Sequence, residues 1–302
     1  MLSTSHIFRN PHPGIAVLLV FTTFIGTAVM NFFRSSMLIE FSFDFWLGPI
    51  CIGLASWLIN VILVYRSRYL LSNYLLGWSW WCLLIALTDD PLTWKQSLLS
   101  IGAAIWLAIT FELGDERKTP LRTRSNLGFV AALLGLSYPS LLSLLAPSVV
   151  SLSVGLKTEV KAVLQVSLAW LLPILLYVFF LIFSFGQFQM FNFDFIGTTS
   201  FRWPFIGEYI ILAWGVFAAA QTLKALVNAK KPKRRGLLLS WLGIGYAMVL
   251  AVFFPEGDEY IPMLAVFFGP HLVNLKDYIH PKKLRYWLTP TLVFAAIVEL
   301  VI

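Results

Sequence analysis

Two Phe-rich segments of this 302-residue chain carry an aspartate in the same pattern, Phe-x-Phe-Asp-Phe, at residues 41–45 and 191–195. The first contains Asp44 and follows Glu40, and the second contains Asp194. Alternating aromatic and polar residues give an extended segment one apolar face and one wet face. A carboxylate on the wet face has the chemistry of a general base, so Asp44, with Glu40 as alternate, is the candidate catalytic group. Asp194 would be the second carboxylate of the same cleft, unless both segments simply anchor their rings at a membrane interface.

Three basic residues are candidates for binding phosphate oxygens or lipid headgroups, because they stand apart from the basic clusters of the chain. They are Arg34, Lys95 and Arg202. A planar guanidinium binds phosphate through two parallel hydrogen bonds, whereas an ammonium group acts as a point charge, so Arg34 and Arg202 rank above Lys95. The alternative is that each of the three pairs with a nearby carboxylate at the surface.

The sequence carries no other strong catalytic signature. It contains no Walker loop, dinucleotide fingerprint, nucleophile elbow or HExxH motif. Adjacent Asp89 and Asp90 are interpreted either as ligands of a hard divalent cation or, because Pro91 follows them, as a helix end. His271 and His280 are spaced unlike the ligands of a zinc site. We therefore predict no metal site and no cofactor, and a divalent cation or a lipid-linked sugar only if the chain is an enzyme.

The composition places these groups in a membrane protein. Hydrophobic residues make up 59% of the chain and charged residues 12%, and the mean hydropathy is +0.80. Apolar stretches close to the ~20 residues that cross the hydrocarbon separate almost all polar clusters. We predict an all-α helix bundle in one integral-membrane domain, residues 1–302, with the lipid bilayer as its surroundings. Loops retained beside anionic lipid explain the formal net charge of +7, and nucleic acid is not an expected partner.

The distribution of Lys and Arg orients this bundle. Cytoplasmic loops retain basic residues, and one threading of the apolar segments puts all but Arg34, Lys95 and Arg202 of the 22 basic residues on one side. That side is then cytoplasmic, with the N-terminus inside, the C-terminus outside and the candidate site on the outer face. About eleven segments result: two in a hairpin at 127–156, and one each at 14–32, 46–65, 69–87, 96–111, 163–185, 209–227, 236–254, 261–275 and 286–302.

The hairpin at 127–156 is predicted to be broken. It is too long for one straight span and too short for two ordinary ones, and Tyr138-Pro139 interrupts it near the middle. Proline disfavours helical geometry in the residue before it. We predict two short helices that meet near the outer side, with their other ends facing the cytoplasm.

The densest basic run follows the segment at 209–227. It comprises Lys230, Lys231, Lys233, Arg234 and Arg235. We predict a cytoplasmic loop that marks the inner side of the membrane, and contact with acidic lipid headgroups is the sharper interpretation.

The predicted helix centres hold polar side chains but no Asp, Glu, Lys or Arg. The polar residues are Asn60, Asn73, Gln165 and Gln221. Intramembrane charges mark ion and proton pathways. A transporter or facilitator is therefore only the third functional hypothesis.

Several stretches carry a family resemblance: ASWLINVILVYRSRYLL, WSWWCLLIALTDDPLTWKQSLLSIGAAIWLAI and NLGFVAALLGLSYPSLLSLL in the first half, IFRNPHPGIAVLL at the start and YIPMLAVFFGPHLVNLKDYIHPKKLRYWL near the end. In these the chain resembles a functionally uncharacterised family of polytopic inner-membrane proteins of the Bacteroidota. The same order of segments is distantly similar to the N-terminal module of C-type membrane glycosyltransferases. The resemblance implies that residues 1–156 form that module and that 157–302 add C-terminal helices.

The glycosyltransferase likeness implies polyprenyl-phosphate sugars as donors, with a catalytic acid in the first outer loop. Only Asp44 and Glu40 match that place, and the hairpin has the uncharged Ser137-Tyr138-Pro139 where such enzymes often hold a cation. These departures favour a non-catalytic subunit or scaffold of a cell-envelope assembly in the bacterial inner membrane, bound to another membrane protein. The alternative is a glycosyltransferase that uses polyprenyl-phosphate sugars, or a protein that handles lipid-linked glycan.

Overall fold

A computed structural model of the protein describes residues 13–34, 43–67, 74–88, 91–113, 121–155, 160–185, 231–253 and 260–278, and three single helical positions, Ala213, Phe217 and Thr222. All regular structure within these ranges is helical, so the predicted all-α class is confirmed for the described chain. The segment predicted at 286–302 and most of that at 209–227 lie outside the described residues.

The described chain forms nine α-helices and one 3₁₀ helix. They are α1 Pro13–Arg34, α2 Phe43–Ser67, α3 Leu75–Leu87, α4 Trp94–Leu113, α5 Leu121–Ser137, the 3₁₀ helix Pro139–Leu144, α6 Leu145–Gly155, α7 Val160–Phe185, α8 Lys231–Phe253 and α9 Ile261–Tyr278. Each covers an apolar run predicted to be helical, because in such a run only a helix satisfies every backbone group within its own segment.

Four of these helices are long and apolar enough to cross a membrane: Pro13–Arg34, Phe45–Val64, Trp94–Leu113 and Val160–Phe183. The protein is therefore a membrane protein. The helices differ in position, since 67% of the Trp94–Leu113 span but only 11% of the Val160–Phe183 span is buried in the protein. Helix α4 is thus central, and α7 presents most of its surface to the surroundings.

Helix α4 can be central because its buried face contains many small residues. Ser97, Ser100, Ala103, Ala104 and Ala108 are all buried. Small side chains allow neighbouring helices to approach closely in membrane proteins. Helix α4 accordingly contacts α2, α5, α8 and α9.

Trp106 is the largest buried side chain of α4. Its Nε1 donates a hydrogen bond of 2.9 Å to Ser148 Oγ of α6, and its ring meets that of Phe267 of α9 at a centroid distance of 5.6 Å. Buried indole nitrogens generally need such a partner. Trp106 thereby connects the central helix to both the hairpin and the C-terminal pair.

Helix α3 differs from its prediction. It begins at Leu75 instead of residue 69, and with 13 residues it is about 20 Å long. A bilayer core is about 30 Å thick. Helix α3 is nevertheless among the most buried elements, so its end groups need partners from other helices.

The predicted break in the hairpin is confirmed at Tyr138. Helix α5 ends at Ser137, Tyr138 has an extended backbone with φ −137° and ψ 104°, and the 3₁₀ helix starts at Pro139. The chain then folds back closely, since a Cβ added at Gly135 would lie only 2.6 Å from Leu142 Cδ2. The predicted start at residue 127 is wrong, because α5 begins at Leu121.

Helix ends that the threading places on one side of the membrane are in contact. On the predicted outer side Ser140 of the 3₁₀ helix bonds the hydroxyl of Tyr260 before α9, and Arg34 of α1 reaches the end of α3. Gln165, predicted at a helix centre, lies in the second turn of α7 and donates a hydrogen bond to Ser125 of α5.

Candidate functional site

A stripe of polar residues on α1 leads to the predicted site. Thr23, Thr27 and Asn31 recur every fourth residue, which places them on one helix face, and all three are buried. Thr23 shares a hydrogen bond of 3.1 Å with Ser56 of α2, and Thr27 accepts one of 3.0 Å from Trp81 Nε1 of α3. Polar contacts between helices are a common means of association in membranes.

The stripe ends in a clasp made by Asn31. Its Nδ2 donates to the Leu92 carbonyl oxygen at 2.9 Å, and its Oδ1 accepts from the Leu92 amide at 2.8 Å. Leu92 lies in the non-helical connection between α3 and α4, and both residues are buried. Because buried backbone groups need hydrogen-bond partners, a single amide side chain makes this buried connection possible.

Arg34, the last residue of α1, contacts the same region. Its Nη2 donates a hydrogen bond of 3.0 Å to the carbonyl oxygen of Ile85. Ile85 is one of the last four residues of α3, whose carbonyls have no partner within the helix. A cation at a helix C-terminus is also favoured by the helix dipole. The guanidinium predicted to bind phosphate is therefore used, at least in part, to cap α3.

The other end of α3 is capped from α2. The amide of Gly77, the third residue of α3, donates to Asn60 Oδ1 at 3.4 Å. This amide is one of the first four N–H groups of the helix, which lack intrahelical partners. The two helices approach so closely there that a Cβ at Gly77 would clash with the Ser56 carbonyl oxygen. At each end of the short buried helix, one backbone group is thus bound by a side chain of a neighbouring helix.

Asp44 lies in a helix, so the extended segment predicted at 41–45 is wrong in its second half. Helix α2 begins at Phe43, which places Phe43, Asp44 and Phe45 in its first turn. A carboxylate near a helix N-terminus is stabilised by the helix dipole, which favours helix here over the extended form. Position 44 lies one helical turn before Gly48, on the same face of α2. At Gly48 the helix packs closely against Leu92, because an added Cβ would clash with the Leu92 carbonyl oxygen.

Lys95 is the second residue of α4, and its side chain is exposed. Helix α4 starts here because Gln96 Oε1 accepts a hydrogen bond of 2.7 Å from the Thr93 amide, half of a capping box. Close by in sequence, Thr88 and Ser97 are buried, and their hydroxyl oxygens have no hydrogen-bond partner among the described residues.

We call this region the corner: Asn31 and Arg34, the first turn of α2, Thr88, and residues 91–97. Its residue ranges include three of the predicted site positions, Arg34, Asp44 and Lys95. Glu40, Asp194 and Arg202 lie outside the described residues. Sequence reasoning missed Asn31 and the threonine stripe, although their four-residue spacing in an otherwise apolar helix was a visible signal.

The basic cluster adopts a different structure from the predicted loop. Lys231, Lys233, Arg234 and Arg235 lie in the first turns of α8, and Lys230 is outside the described residues. Positive charge at a helix N-terminus opposes the helix dipole. The cluster therefore does not stabilise α8 locally, and the exposed Arg234 is placed to meet anionic groups outside the bundle.

The chemistry available at the corner is hydrogen bonding and charge. Arg34 and Lys95 supply cations, Thr88 and Ser97 supply hydroxyls, and the first turn of α2 adds the carboxylate of Asp44. In the described part of the chain, no three His, Cys, Asp or Glu residues converge as a metal site would require.

We predict that Asn31→Leu destabilises the protein by about 2–4 kcal/mol, because it leaves two buried backbone groups of Leu92 without partners. The measurement is the free energy of unfolding in mixed micelles. Asn126→Leu is the matched control, since Asn126 is exposed on α5, and it should change stability by less than about 0.5 kcal/mol. Equal effects of the two substitutions would contradict the clasp.

No protein-family model matches this chain, and no curated protein or solved structure is significantly similar to it. The function of the corner is therefore argued from its own residues.

Proposed function

We propose that the chain is a multi-pass protein of the bacterial inner membrane and serves as a non-catalytic subunit or scaffold of a cell-envelope assembly. The observation that carries this proposal is the use of the corner's polar groups. Asn31 and Arg34 donate to backbone carbonyls of the neighbouring helix and connection. Side chains that a catalyst would direct toward substrate instead join the end of α1 to the end of α3 and to the connection between α3 and α4, which is the requirement of a rigid support.

The proposed orientation puts the N-terminus and the basic cluster in the cytoplasm and the corner outside. About eleven segments cross or enter the bilayer, arranged as a glycosyltransferase-C-like module over residues 1–156 and further helices over 157–302. The cluster then faces anionic headgroups of the inner leaflet, where basic residues bind lipid favourably. The corner faces a membrane-protein partner.

This orientation predicts opposite labelling of two lysines. Lys95 and Lys161 are each the second residue of a helix and are both exposed in the structure. A membrane-impermeant amine reagent applied to spheroplasts should modify Lys95 and leave Lys161 unmodified, as read by mass spectrometry. Permeabilised membranes should show both lysines modified. Labelling of Lys161 alone in intact spheroplasts would reverse the orientation.

A glycosyltransferase that uses polyprenyl-phosphate sugars is the second candidate, and one observation favours it. Gly48 packs against Leu92, which brings position 44 toward the end of the bundle that holds Arg34 and Lys95. In this hypothesis Asp44, with Glu40 as alternate, takes the proton of the acceptor hydroxyl. Arg34 and Arg202, with Lys95, stabilise the leaving phosphate, and Asp194 completes the cleft.

Complementation of a deletion strain separates the two candidates. A scaffold predicts that Asp44→Asn and Glu40→Gln restore envelope glycans as fully as the wild-type chain. It also predicts that gentle detergent extraction and crosslinking recover a membrane-protein partner with both variants. Loss of glycan restoration by Asp44→Asn, with the variant still inserted in the membrane, would favour the transferase. A chain that migrates alone after crosslinking would contradict the scaffold.

A further inference from the structure

His271 is an ionisable residue buried between two apolar helices. Its Nε2 lies 2.5 Å from Ser240 Oγ, which joins α9 to α8, and both side chains are 0% exposed. Ionisable groups in such positions are usually functional. The sequence alone does not reveal this burial, because His271 lies toward the predicted cytoplasmic end of the segment at 261–275.

We assign the imidazole proton from the neighbouring hydrogen bonds. Ser240 Oγ lies 3.1 Å from the Leu237 carbonyl oxygen, to which it can donate, and a hydroxyl that donates there accepts from the ring. In this assignment the Nε2–H of His271 donates to Ser240, and Nδ1 carries a lone pair. Nδ1 has no hydrogen-bond partner among the described residues. The ring lies instead against Trp241, at a centroid distance of 4.6 Å, and near Phe268, at 6.5 Å.

No described charge is paired with the imidazole. Helix α9 packs against α3, α4 and α8. The titratable groups of these elements and of α9 itself are Cys82 of α3, Lys95 and Glu112 of α4, Lys231, Lys233, Arg234, Arg235 and Tyr246 of α8, and Lys276, Asp277 and Tyr278 of α9. The hydrogen bond of His271 is to Ser240, and its ring contacts are with Trp241 and Phe268. A proton added at Nδ1 would therefore place an uncompensated charge in apolar surroundings, which is strongly unfavourable.

The backbone next to His271 can bend when the ring becomes charged. Pro270 lies inside α9 and has no amide hydrogen to donate to the preceding turn. Helices bend most readily at such positions. The segment from His271 to the end of α9 can therefore move away from α8 without disrupting the first half of the helix, which Phe267 anchors on Trp106.

We propose that His271, Ser240 and Pro270 form an acid-sensitive joint between α8 and α9. With the imidazole neutral the joint is closed. Protonation at Nδ1 breaks the packing against Trp241, and the second half of α9 swings from α8 about Pro270. Since the closed joint holds the neutral ring, it is intact at neutral pH and opens as the pH falls. This inference does not depend on the proposed scaffold role, because it concerns the other end of the bundle.

Amide exchange of the full-length protein in lipid nanodiscs tests the joint. A solvent-exposed imidazole changes charge between about pH 7.5 and about pH 5, so acid favours the open joint over this range. Amide exchange, corrected for its intrinsic pH dependence, should therefore rise several-fold in peptides of 236–250 and 268–278. Peptides of α1 should not change. His271→Gln keeps a donor for Ser240 but cannot be protonated, so it should abolish the rise. His280→Gln is the matched control and should retain it.

The ¹⁵N spectrum of the labelled wild-type imidazoles provides a second test, read on the unmodified chain. The His271 signal, assigned as the one missing from His271→Gln, should show the Nε2–H neutral form at neutral pH and gain a second N–H as exchange rises. A ring that stays neutral while exchange rises would overturn the proposal, as would an unchanged rise in His271→Gln. Absence of any acid-induced exchange in the wild type would also overturn it.

Discussion

The backbone groups at the ends of a short buried helix impose the constraint on which the described structure depends. Helix α3 has 13 residues, too few to carry its ends into water on both sides of a bilayer. In an apolar environment each unsatisfied amide or carbonyl is strongly unfavourable. Asn60 of α2 accepts a hydrogen bond from an amide at the N-terminal end of α3, and Arg34 of α1 donates one to a carbonyl at its C-terminal end. Asn31 binds both backbone groups of Leu92 in the connection that follows.

This constraint also explains why the corner resembles a binding site in the sequence. Arg34 is set apart from the basic clusters in the sequence, and in the structure it caps the C-terminal end of α3. Buried polar residues in membrane proteins have structural as well as functional uses. The contacts of Arg34 and Asn31 favour the structural use here, whereas the side chain of Lys95 is exposed.

The positions of the helices were predicted from the sequence more accurately than the residues at which they begin. The contacts between helices were predicted least well. Apolar runs located α1, α2, α4 and α7 because length and hydropathy alone determine a spanning helix. The break at Tyr138 followed from the local effect of Pro139. The starts of α3 and α5 were misplaced, since charged residues such as Arg122 can occupy a first turn as well as a loop.

Contacts between helices could not be predicted from the sequence. Asn31 reaches a residue 61 positions away, and Ser240 meets His271 across 31 positions. Neither spacing has a local signature, because it depends on which helices pack together. The four-residue recurrence of Thr23, Thr27 and Asn31 did indicate a polar face, but not its partner.

Amide exchange in α3 measures the central claim most directly. In lipid nanodiscs, Arg34→Leu should accelerate exchange at the C-terminal end of α3 by at least about tenfold, the effect of losing one charge-assisted hydrogen bond. Peptides of α7 should be unchanged. Arg234→Leu removes an exposed arginine from α8 and should leave α3 protected. Unaltered protection of α3 in Arg34→Leu would contradict the claim that a side chain of α1 holds this helix in the bundle.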